Sequence, residues 1–167
     1  MISCELSRHL ELRMIFGIGM ASVVRRFVET VAERLGVSDD ASVGIALATH
    51  ELCENVAKYG VGCRGTVCLD VRRDADGARI VLSVTSEAHP NDIDGLKQRF
   101  REMEKAPDPM TYYVALMGKE APKGESGLGL ARIRAEADMT LGLAVDAGLV
   151  TVSAVSLPFS LVTQEAP

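Results

Sequence analysis

Two short turn sequences constrain the fold more than anything else in the chain. Asp74-Ala75-Asp76-Gly77 lies between Val67, Leu69 and Val71 on one side and Ile80, Leu82 and Val84 on the other. Asp146-Ala147-Gly148 lies between the apolar runs 141–145 and 149–155. Asp- and Gly-bearing turns between alternating runs make β-hairpins, and hairpin strands pair antiparallel. A sheet with its apolar residues on one face must cover that face.

The cover is also readable. Residues 20–35 carry Val23, Val24, Phe27, Val28, Val31 and Leu35 at helical spacing, with Arg25, Arg26, Glu29 and Glu33 between them. Gly36 suits a helix C-terminus and Ser38 the next N-cap, so a second helix is predicted over 40–59. Residues 3–16 alternate as a first strand, and Gly60, Gly62 and Gly65 read as a loop. Strands are predicted over 66–73 and 78–86. Pro90-Asn91-Asp92 opens a helix that runs to about residue 104, where Pro107 and Pro109 end it. A short helix over 109–118, a polar loop over 119–126 and a helix over 128–137 precede the second hairpin. The tail beyond Phe159 reads as loosely held. This order gives an α+β two-layer sandwich: a mixed, largely antiparallel sheet with helices on one face. It is not the βαβα alternation of a doubly wound fold.

No linker or repeat divides the 167 residues, so one domain over 1–167 is expected. Hydrophobic residues at 47% and charged residues at 25% exclude disordered and fibrous classes. A net charge of −5 and 4% aromatic content disfavour nucleic-acid partners. No apolar run is long enough to span a membrane and no secretory leader is evident, so a cytoplasmic protein is expected. Cys4, Cys53, Cys63 and Cys68 form no CxxC pair and, with three scattered histidines, show no metal-ligand spacing; they read as buried thiols of a reducing compartment.

The second helix carries the chemistry. At about 100° per residue, Glu51, Asn55, Lys58 and Glu54 fall on one stripe, while Leu52, Cys53, Val56, Ala57 and Tyr59 fill the broad opposite side. A solvated face with a Glu54–Lys58 pair would explain most of that stripe. It does not explain Asn55, a mediocre helix former that makes no ion pair. An amide beside carboxylates and an ammonium can place a divalent cation and a phosphate. His50, Arg132, Arg134 and the Tyr112-Tyr113 pair read as structural or outward-facing residues.

The second feature is Gly124-Glu125-Ser126-Gly127-Leu128-Gly129-Leu130, which runs into a helix. Glycines let backbone amides approach a phosphate, and a helix N-terminus presents its positive dipole end. The turn is neither GxxxxGKS nor GxGxxG. Its order after the ExxxN helix, a hairpin and a helical insert is more specific than either part.

With these motifs in this order, the chain resembles the GHKL (Bergerat-fold) ATPase superfamily of histidine-kinase ATP domains, gyrase and MutL. Glu51-Leu52-Cys53-Glu54-Asn55-Val56-Ala57-Lys58-Tyr59 resembles its N box, and Gly124 to Leu130 its second glycine box. The length, without a phosphoacceptor-histidine helix pair, resembles the stand-alone anti-sigma-factor serine kinases. The resemblance implies ATP and Mg²⁺ as cofactors. Asn55 would hold Mg²⁺, Glu51 would be the general base and Lys58, with Tyr59 beside it, would sit near the phosphates. Gly124, Gly127, Leu128, Gly129 and Leu130 would form the turn over ATP, and residues 90–126 a mobile lid. The family's first glycine box, roughly DxGxG, is altered here: Ser86 stands at the adenine-binding Asp and Ala88 at the Gly. A hydroxyl accepts a hydrogen bond without the carboxylate's charge assistance; Glu87, Asp92 and Asp94 are the nearby carboxylates that could substitute, and spacing does not choose among them.

The function implied is a Mg-ATP-dependent kinase that phosphorylates Ser/Thr of an antagonist protein and sequesters a sigma factor. The resemblance also suggests a homodimer. Two alternatives accompany it. One is a non-catalytic, partner-binding regulator with weakened nucleotide binding. The other is an ATP domain acting in trans on a histidine phosphotransfer protein, suggested by the NxxKY ending.

Overall fold

The computed structural model describes residues 9–118 and 127–159. Its elements are β1 (His9–Ile15), α1 (Met20–Arg34), α2 (Asp39–Tyr59), β2 (Gly60–Asp74) and β3 (Gly77–Ala88), followed by α3 (Pro90–Lys105), α4 (Pro109–Met117), α5 (Leu128–Glu136), β4 (Thr140–Asp146) and β5 (Leu149–Val155). The strands form one sheet in the order β1-β2-β3-β5-β4, and α1, α2 and α5 form the second layer. This is the expected α+β sandwich. The sheet's antiparallel character is complete: all four ladders are antiparallel. Both hairpins close where the turn sequences place them, at Asp74↔Gly77 and Asp146↔Leu149.

Alternation decides which face is buried. Ala78, Ile80, Leu82 and Val84 of β3 point into the core, beside Val67, Leu69 and Val71 of β2 and Val150, Val152 and Ala154 of β5. The helices close the core with Val24 and Val28 of α1, Ile45, Leu52, Cys53 and Val56 of α2, and Leu130 and Ile133 of α5. Burying such side chains stabilises by about 1.5–3 kcal/mol each. On the opposite face the Thr85 and Thr151 hydroxyls bond across strands at 2.8 Å.

Three expectations are corrected. The apolar stripe of α1 is narrower than its sequence suggests: Ala21, Val24, Val28 and Ala32 are buried, while Val23 and Phe27 are exposed. The Gly60–Gly65 stretch is not a loop but the start of β2, which pairs Gly60 with Ala88 across a bulge where Gly62 and Cys63 take positive φ. Of the described cysteines only Cys53 is buried, and burial pushes its thiol up to about 12. No described helix is long and apolar enough to cross a membrane. The first-strand residues 3–8, Cys4, the loop 119–126 and the tail beyond Phe159 lie outside the described residues.

In the helical insert, α4 begins on a specific cap. Thr111 N–H donates to Asp108 Oδ2 at 2.6 Å, and that bond holds the Asp108 carboxyl below the ordinary carboxylate range. A depressed folded value means the cap stabilises above the unfolded-state pKa and is lost as pH falls through the lowered one. The Thr111 amide resonance is therefore expected to titrate with Asp108 at acid pH. Asp108→Asn should remove that dependence; a titration surviving in the variant would assign it elsewhere.

Candidate functional site

The polar stripe of α2 forms one wall of a cleft. α2 buries Leu52, Cys53 and Val56 against the sheet, which fixes the rotation of the helix and turns Glu51, Asn55 and Lys58 to the cleft. The end of β3 and the start of α3 supply the facing wall, β5 the floor and the N-terminus of α5 the far rim. Two segments some 70 residues apart in sequence therefore converge on one space.

Glu51 is largely buried, with 15% of its side chain exposed. Arg132 Nη1 donates to its Oε1 at 3.2 Å, while Arg132 Nε donates to Glu136 Oε2 at 2.7 Å. The bond to Glu136 raises the Arg132 pKa above the ordinary guanidinium range. Next along the helix, Glu54 takes Lys58 at 3.3 Å and His50 at 3.4 Å. Asn55, by contrast, is half-buried in the cleft wall and has no hydrogen-bond partner among the described residues.

The glycine turn meets the same stripe. Gly127 is the N-cap of α5 in a left-handed conformation (φ 54°), and no side chain among the described residues caps the helix, whose first amides face the cleft rim. A Cβ on Gly129 would lie 2.5 Å from Glu51 Oε2. Only glycine lets the turn come this close to the carboxylate. A Cβ on Gly127 would lie 3.5 Å from the Arg99 guanidinium, so a cation of α3 also reaches the amide-rich rim. Anions are favoured at such a rim.

Ser86 and Ala88 follow Val84 on the inward face of β3 and line the cleft. Asp92, in the first turn of α3, lines the same wall. It brings a carboxylate into the cleft that the Ser86 strand position lacks.

Of the residues singled out in the sequence, Glu51, Asn55, Lys58, Tyr59, Ser86, Gly127, Gly129 and Leu130 all line this one cleft. Leu128 opens α5 without lining it, and Gly124 lies outside the described residues. His50 and Glu87 are not among the lining residues. Two arginines expected on the solvated face of α5 are placed otherwise: Arg132 holds Glu51, and Arg134 donates to Met103 O at 2.6 Å, tying α5 to α3. Arg132, Arg99 and Asn91 are the polar site neighbours that sequence reasoning missed. Arg132 reaches Glu51 from another helix, 81 residues away, so no local spacing announces that contact.

A family model described as a histidine kinase-like ATPase domain matches residues 19–149. The chain belongs to that family. Its match spans every element from α1 to the turn before β5, and the GHKL-type resemblance is thereby shown for the chain. In the crystal structure of the SiaB-SiaC complex from Pseudomonas aeruginosa, one chain is similar in fold with a TM-score of 0.59. Identity is 15%, and the likeness covers 89% of this chain and 90% of that one. No curated protein matches.

Proposed function

We propose that the chain binds Mg-ATP in this cleft and is a regulatory kinase of the anti-sigma-factor type, transferring a phosphoryl group to Ser/Thr of a partner protein. The carrying observation is the convergence of the Glu51–Asn55 stripe with the N-terminus of α5. The donor set suits magnesium on a polyphosphate: one uncommitted amide oxygen, a neighbouring carboxylate and room for phosphate oxygens. Asn55 would hold the ion, which when bound neutralises phosphate charge. Glu51 accepts a proton from the attacking hydroxyl, as a base positioned by Arg132 and by the close backbone of Gly129. The first amides of α5, with Arg99 and Lys58, receive the anionic groups. The partner is a protein, an antagonist or a sigma factor, consistent with a fold neighbour found in a two-protein complex.

The test is calorimetry with Mg²⁺ and a non-hydrolysable ATP analogue, followed by labelled ATP with candidate partners. Acid-stable label on Ser/Thr of the partner supports the reading, and acid-labile label on His refutes it in favour of transfer to a phosphotransfer protein. The second reading, a partner-binding regulator without catalysis, is favoured by Ser86 at the family's Asp position. Absence of nucleotide binding with partner binding intact would establish it.

A further inference from the structure

The helix-free face of the sheet carries a cluster of different chemistry. β1 and β2 pair so that His9 lies opposite Asp70 and Glu11 opposite Cys68. Residues two apart on a strand share a face, so all four side chains stand together, on the side away from Leu10, Leu12 and Leu69. We propose that His9, Glu11, Cys68 and Asp70 form a binding site for a borderline-soft divalent transition metal, with Zn²⁺ the best match.

The donor atoms of His9, Glu11 and Cys68 all lie within 4.8 Å of one another, and this is the only such group among the described residues. Cys68 Sγ is 4.0 Å from Glu11 Oε2, and His9 Nδ1 is 2.6 Å from Asp70 Oδ1. Ligand atoms around tetrahedral zinc stand about 3.4–3.6 Å apart. Closing the cluster therefore takes rotamer adjustments of exposed or half-exposed side chains, not backbone movement. Arg13 Nε occupies Glu11 Oε1 at 2.6 Å, which leaves Oε2 toward the thiol. Asp70 fixes the imidazole as carboxylates do beside metal-ligating histidines.

Charge and softness choose the ion. A dication would offset the thiolate and the two carboxylates that the strand register brings together. Thiolate and imidazole donors suit zinc and its neighbours and disfavour Mg²⁺, which wants oxygen. The site and the nucleotide cleft lie on opposite faces of the sheet, so each cation has its own donors.

The test uses the full chain, reduced and metal-free. Co²⁺ is added and the near-ultraviolet thiolate-to-cobalt charge-transfer band followed; Zn²⁺ is then titrated against a chromophoric chelator. One equivalent should bind and give the band. Cys68→Ser should abolish the band, Cys63→Ser should keep it, and His9→Ala should weaken Zn²⁺ binding at least about 10-fold. Asp70→Asn should weaken it by about 10- to 100-fold. Circular dichroism checks that the variants fold, and Asn55→Ala should bind Zn²⁺ as the parent does. Failure to compete with the chelator, a band that survives Cys68→Ser, or affinity unchanged in both His9→Ala and Asp70→Asn would overturn the proposal.

Discussion

Asn55→Ala is expected to abolish Mg-ATP binding and leave the fold in place. Asn55 belongs to the cleft wall, while its neighbours Leu52 and Val56 do the packing of α2. The amide has no partner among the described residues, so removing it orphans nothing. Alanine is also the better helix former. The stability change should therefore stay within about 0.5 kcal/mol. The binding change is of another order. One charge-assisted contact accounts for about 1.5–3 kcal/mol, roughly a 10- to 100-fold affinity change, and the cation's own contribution goes with it. Calorimetry with and without Mg²⁺, beside a thermal melt, separates the two effects. Unchanged affinity in a folded variant would remove Asn55 from the site.

The same contrast between local and non-local causes explains what the sequence discloses. The two hairpins are legible because turn chemistry is local: Ala75-Asp76, followed by Gly77, and Ala147-Gly148 close them. The α2 stripe is legible because a helix converts spacing into direction, and Glu51, Asn55 and Lys58 share the cleft as that spacing requires. The start of β2 was not legible. Three glycines within residues 60–65 weaken strand propensity, and pairing with Ala88, 28 residues on from Gly60, draws the segment into the sheet. The all-antiparallel order follows from a docking choice no residue encodes alone: β5, not β4, lies against β3.

Side chains whose partners are distant follow the same logic. Arg132 sits on a helix surface by pattern, yet it meets a carboxylate 81 residues away. His9 and Glu11 are separated from Cys68 by 57 residues or more, so motif spacing shows no metal ligands where strand register assembles them. The altered first glycine box is legible as a change of residue. Which of Glu87, Asp92 and Asp94 enters the cleft is not, because the turn from β3 into α3 decides it, and only Asp92 lines the wall.

Glu51→Gln is expected to keep nucleotide binding and to lower phosphoryl transfer by about 10²- to 10⁴-fold, the usual contribution of a positioned general base. The amide is isosteric and can still accept from Arg132, so packing around α5 persists. Gly129→Ala reaches the same carboxylate from the other side. Its new Cβ would stand 2.5 Å from Glu51 Oε2, the end of a flexible side chain that can swing away, and 3.5 Å from Glu51 Cβ, which is ordinary contact. The variant should thus fold and bind nucleotide but transfer phosphate poorly, because the carboxylate no longer occupies its place. If both changes act through that one group, their effects cannot add: the double variant should be no slower than Glu51→Gln alone. Single-turnover transfer at saturating Mg-ATP measures all three. Full activity in Glu51→Gln would dismiss it as the base. Additive losses in the double variant would mean that the glycine turn acts on the phosphates independently of Glu51.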